Sequence, residues 1–157
     1  MRQAGERHLR DSLPPLRLSW SFMLAANLAC AGLGVLAVPV VSLPGKAPAS
    51  PLAAAIAAFG ALVAAATLWL DRRLLAPSRI ARVLPVPDPA LARRHLLVGH
   101  LALWSLAEVP ALLGFAQVLL DGTLGAHLAL CATSLVLLAL LLPTRARITS
   151  RMEALLG

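Results

Sequence analysis

Four stretches of mainly apolar residues dominate this chain, at residues 19–41, 52–70, 96–120 and 124–142. Crossing about 30 Å of hydrocarbon takes roughly 20 residues at about 1.5 Å of rise each, and each stretch meets or nearly meets that length. Hydrocarbon offers no water to the backbone, so segments of this kind satisfy their own N–H and C=O groups as helices. Composition agrees: 59% of residues are hydrophobic and 13% charged, where soluble domains average about 45–50% and 25%. The expected fold is therefore all-α, a polytopic membrane protein with four transmembrane helices forming one domain over residues 1–157.

The basic residues orient these spans. Arg2, Arg7, Arg10 and Arg17 precede the first span, Arg72, Arg73, Arg79, Arg82, Arg93 and Arg94 lie between the second and third, and Arg145, Arg147 and Arg151 follow the fourth. Only Lys46 falls on the other side. An asymmetry of this size places both termini in the cytoplasm. The first apolar run is longer than the roughly 7–15 residues of a signal-peptide core, so it is read as an uncleaved span. The net charge of +7 follows from this flanking pattern. No basic face interleaved with aromatics accompanies it, which argues against nucleic acid as a partner.

Residues 42–50 (SLPGKAPAS) read as a short external turn, and Asp121-Gly122-Thr123 as a tight connection that makes the third and fourth spans antiparallel neighbours. The cytoplasmic loop, residues 71–95, carries Pro77, Pro85, Pro87 and Pro89. A short basic helix is expected over 78–83, with extended chain after it. The tail, residues 143–157, has Ile148, Met152, Leu155 and Leu156 on one helical face, with Arg147 and Arg151 elsewhere. It is expected either to lie along the anionic inner leaflet or to extend the fourth helix.

The second span is rich in small residues, with Ala57, Ala61 and Ala65 in one row and Ile56, Gly60 and Ala64 in another. Such rows let helices approach closely where lipid supplies no hydrophobic drive to pack. The first span has a similar patch at Ala26, Cys30 and Gly34. Both helices are expected to pack on protein, within the chain, in a homo-oligomer or in a larger membrane complex.

Glu108 stands at the middle of the third span, LLVGHLALWSLAEVPALLGFAQVLL, and is the one acidic residue so enclosed. A charge at that depth costs at least about 2.5–3.5 kcal/mol, so a midplane carboxyl is a functional candidate by default. Hydrocarbon favours its uncharged form, expected to donate to a carbonyl or to Asn27. Trp104 precedes it by one turn and His100 by two, on the same face. Pro110 removes the donor for the Leu106 carbonyl, which Ser105 is placed to satisfy. Ala111 and Gly114 leave room for a neighbour. A carboxyl, a kink and small residues within two turns suit a site for a proton or a monovalent cation.

The segment LAEVPALLGFAQVLL resembles the carboxylate helix of the proteolipid (c-type) subunits of rotary ATPases. That resemblance, over residues 52–120, implies that Glu108 carries the ion, with Ala111 and Gly114 at the small-residue positions. The alanine-rich second span and basic loop resemble the proteolipid hairpin. The chain departs from it in having Gly60 as the sole glycine of the second span, and Pro110 beside the carboxylate. The third span equally resembles that of small uncharacterised four-helix membrane proteins of bacteria, which implies the inner membrane as location.

Other chemistry finds little support. Cys30 and Cys131 lie in separate spans, read as small core hydrophobes. His100 and His127 sit toward opposite ends of their spans and cannot share a haem; neither metal nor cofactor is expected. Trp20 and Trp69 read as interfacial anchors and Trp104 as a shield between Glu108 and lipid. No serine–histidine–acid set or phosphate loop points to catalysis. The expected role is a non-enzymatic membrane subunit, with ion translocation as the alternative.

Overall fold

The computed structural model describes residues 2–41, 51–75, 88–121 and 124–156, which form five helices: α1 (Arg2–Val41), α2 (Pro51–Leu74), α3 (Pro89–Asp121), α4 (Leu124–Leu140) and α5 (Arg145–Leu156). The fold is all-α. Three helical segments are long and apolar enough to cross a membrane: Leu13–Pro39, Pro51–Leu74 and Ala90–Leu120. The fourth has 17 helical residues and bends by 61° into Arg145–Arg151, so the number of candidate spans is three, or four if that bent pair counts as one. The turn expected at 42–50, the basic helix at 78–83 and residues 122–123 lie outside the described residues.

Helix boundaries follow local chemistry. Asp88 caps α3, its Oδ1 accepting from the N–H groups of Ala90 (2.8 Å) and Leu91 (3.4 Å). Pro89 takes the first helical position, where a missing N–H costs nothing. The helix thus starts seven residues before the apolar run does. Pro143 ends α4, and Thr144 caps α5 by accepting from Arg147 N at Oγ1 (3.3 Å).

Antiparallel α3 and α4 form the most extensive contact, α1 packs against both, and α2 joins from α3 with a smaller contact to α4. Among the described residues α1 and α2 do not touch, so their small-residue patches face different neighbours. Gly60 is buried, with Ala64 and Ile56 half-buried in the same row, whereas Ala57, Ala61 and Ala65 are exposed. An added Cβ at Gly60 would meet Leu130 of α4 at 2.7 Å.

The bundle is apolar outside and selectively polar inside. Leu18, Phe22, Leu36, Leu62, Val98, Leu112 and Val136 are exposed, while Asn27, Thr67, His100, His127 and Ser134 are buried. This inversion is the arrangement lipid demands, because apolar side chains lose nothing by facing hydrocarbon and polar ones must find each other.

The main apolar core lies at the α5 end, where Leu16, Leu75, Leu96, Leu103, Trp104, Leu138, Leu141 and Ile148 pack together. Here α4 stops and its last carbonyls need donors. Trp20 Nε1 donates to Leu138 O (2.9 Å), Trp104 Nε1 to Leu141 O (3.2 Å) and Arg147 Nη1 to Leu140 O. Three helices therefore cap the fourth. The two indoles expected at an interface and beside lipid instead point inward; Trp104 is fully buried. Trp69 does stay exposed, with the Arg73 guanidinium 4.7 Å from its ring centroid.

Candidate functional site: a polar seam in the bundle core

Three helices contribute to a polar seam in the core. Asn27 and Cys30 come from α1, Glu108 from α3, and His127, Cys131 and Ser134 from one face of α4 at spacings of four and three. Asn27 is fully buried and central. Its Nδ2 donates to Glu108 Oε2 (3.3 Å) and to Ser134 Oγ (2.5 Å), and Ser134 Oγ in turn donates to Ala107 O.

Every donor in this cluster is thereby used: both amide hydrogens of Asn27 and the hydroxyl hydrogen of Ser134. Two acceptors are left, Asn27 Oδ1 and Glu108 Oε1, both buried and neither meeting a donor among the described residues. Buried acceptors without donors are uncommon and costly, at about 1–3 kcal/mol each. The seam leaves both acceptors unfilled among the described residues.

Pro110 sits beside this cluster and is buried. The proline withholds a donor from the Leu106 carbonyl, and the next carbonyl, Ala107, receives Ser134 from α4. Ser105, expected to serve the loosened backbone, is exposed and makes no hydrogen bond among the described residues. It lies on the exposed face of α3 and does not join the Asn27–Glu108–Ser134 contacts. Asn27 does face the carboxyl. Glu108 itself is half-buried, at the seam where α1 meets α3.

Ala111 and Gly114 hold α3 close to its neighbours. Ala111 O accepts from Cys30 Sγ (3.5 Å). A Cβ on Gly114 would lie 3.0 Å from the His127 carbonyl oxygen, so this glycine admits the backbone of α4. Gly34 admits the ring of the same histidine: a Cβ there would lie 2.0 Å from His127 Nε2. That nitrogen donates to Ala31 O (3.3 Å).

A second polar group closes the α5 end, and nothing in the sequence pointed to it. Arg151 Nη2 pairs with Asp71 Oδ1 of α2 at 2.8 Å. Its Nη1 donates to His100 Nε2 (3.0 Å), while His100 Nδ1 donates to Leu96 O (2.7 Å). Those contacts fix the Nδ1–H tautomer. Arg151, which periodicity sets off the apolar face of the tail, points into the bundle and is 8% exposed. Periodicity marks the apolar stripe of α5 but cannot reveal that a buried carboxylate and imidazole await an arginine.

Ser134 and the His127–Cys131 pair were also missed, although their common stripe on the fourth span was a readable signal. Among the described residues no three His, Cys, Asp or Glu side chains converge as a metal site. In comparisons with known proteins, the chain matches no family model, no curated protein and no solved structure.

Proposed function

We propose that the chain is a small four-span subunit of the bacterial inner membrane, both termini cytoplasmic, in which Glu108 holds an exchangeable proton. The donor shortage of the core seam carries this reading. A proton on Glu108 Oε1 gives a hydrogen to a core that has two unfilled acceptors, and it removes a charge from hydrocarbon. In that state Glu108, Asn27 and Ser134 tie α3, α1 and α4 together. The exposed row Ala57, Ala61 and Ala65 on α2 is the face by which the subunit self-associates or docks into a larger membrane complex.

The runner-up is translocation of a proton or monovalent cation by a proteolipid-like subunit. The half-buried position of Glu108 favours it, since a carboxyl that exchanges its ion needs one open side.

Dicyclohexylcarbodiimide attacks protonated carboxyls in apolar surroundings. Labelling is expected at Glu108 and to fade as pH rises, with Glu108→Gln unlabelled yet assembled. Competition by sodium, or ion flux in liposomes, selects the translocation reading. Absence of labelling at any pH in the folded protein ends both.

A further inference from the structure

α2 and α4 run in the same direction, since Gly60 meets Leu130 and, further along both helices, Leu68 and Leu140 line one groove. At Gly60 the approach is close: an added Cβ would lie 2.7 Å from the Leu130 side chain. One turn further on, an apolar groove of about 380 Å³ lies between the two helices, a size that suits a ligand rather than a single water. Its walls are two helical rows, Ala64 and Leu68 on α2 and Ala132, Val136 and Leu140 on α4. The one hydroxyl in the lining, Thr133 Oγ1, donates to Ala129 O of its own helix (2.9 Å). The groove therefore demands no hydrogen bond of an occupant. From Ala132 to Leu140 it follows about 12 Å of helix, most of the half-thickness of a bilayer with roughly 30 Å of hydrocarbon.

Two cations stand at the α5 end of this groove. Arg72 continues the row of Ala64 and Leu68 by one turn and is exposed. Arg147 of α5 is fixed there through Nη1, which donates to the carbonyl of Leu140, the last groove residue of α4. That bond uses one of the five donors of its guanidinium. The carboxylate of Asp71 is taken by Arg151, and among the described residues no ion pair engages Arg72 or Arg147. An apolar slot nearly one leaflet deep, with two guanidinium groups at its mouth, is complementary to a lipid tail beneath an anionic phosphate.

We propose that the α2–α4 groove holds an acyl chain of one anionic phospholipid, whose phosphodiester is bound by Arg72 and Arg147. The site rests on the chain lying in a bilayer and not on the proton at Glu108.

The test is native mass spectrometry of the full chain in dodecyl maltoside, titrated with dioleoyl phosphatidylglycerol or dioleoyl phosphatidylcholine. One phosphatidylglycerol is expected per chain, bound about 25-fold more tightly than phosphatidylcholine, at about fivefold for each arginine. Arg72→Gln and Arg147→Gln each remove about fivefold of that preference and leave phosphatidylcholine unchanged. Ala132→Phe fills the groove from an exposed position and weakens both lipids; should it not fold, the arginine variants still decide. Glu108→Gln keeps the lipid, so loss of carbodiimide labelling and loss of lipid are separate failures. Equal affinity for the two lipids, or a preference that survives both arginine changes, overturns the proposal. So does a dimer whose second copy fills the groove and excludes lipid. Release of the wild type from vesicles by alkaline carbonate overturns the bilayer reading beneath it.

Discussion

Replacing Arg151 tests whether α5 is locked onto the bundle. Arg151→Met keeps the apolar stem and deletes the guanidinium, leaving Asp71 without its ion-pair partner and His100 Nε2 without a donor. The side chains of Arg151 and Asp71 are 9% and 16% exposed, between the exposed pairs worth about 0.2–1 kcal/mol and the buried ones whose disruption costs about 3–5. Hydrogen bonds to charged groups contribute about 1.5–3 kcal/mol, so about 2.5 kcal/mol is expected. At about 1.4 kcal/mol per decade, that raises the open population of α5 about 60-fold. Ile148 stays fully buried against the core, so α5 loosens instead of detaching. Trypsin reads the change: Arg145 and Arg147 sit on a helix that must open before cleavage, and the rate follows the open population when reclosing is fast. Asp71→Asn completes a double-mutant cycle, with an expected coupling of about 1–2 kcal/mol. A coupling under about 0.5 kcal/mol, within ordinary additivity error, refutes the lock.

Gly34→Ala forces the His127 ring off Ala31 O, because the new Cβ would sit 2.0 Å from Nε2; overpacking of this kind costs about 1–3 kcal/mol. Gly32→Ala, where a Cβ meets nothing within 4 Å, is the control and stays within about 0.5 kcal/mol. Equal stability of the two in SDS titration contradicts the close approach of α1 to α4. Trp104→Phe removes the donor to Leu141 O and leaves that carbonyl uncapped, for a loss of about 1–2 kcal/mol beyond packing. Trp20→Phe loses less, since Trp20 is only half-buried; the reverse order in thermal unfolding overturns the account of how α4 ends.

The existence of the apolar helices and the isolation of one carboxyl among apolar residues were legible in the sequence, although α1 (Arg2–Val41) and α3 (Pro89–Asp121) run well beyond their apolar stretches. Hydropathy is local, and a backbone in hydrocarbon has a single economical way to satisfy itself. The small-residue rows of α2 were legible for the same reason, as was Asn27, the one amide in the first span. Which row of α2 faces protein was not, because Ala57 and Ala64 are alike to a periodicity argument and differ only in having α3 and α4 beside them. Ser105 and Ser134 show the same limit. Both are serines in apolar spans, yet only the one on α4 reaches a carbonyl beside Pro110, that of Ala107. The inward turn of Arg151 and the capping of α4 by indoles from α1 and α3 depend on partners separated by 80 and 118 residues in two cases and by 37 in the nearest. Contacts at that separation are set by how helices dock, and only the packed bundle contains that information.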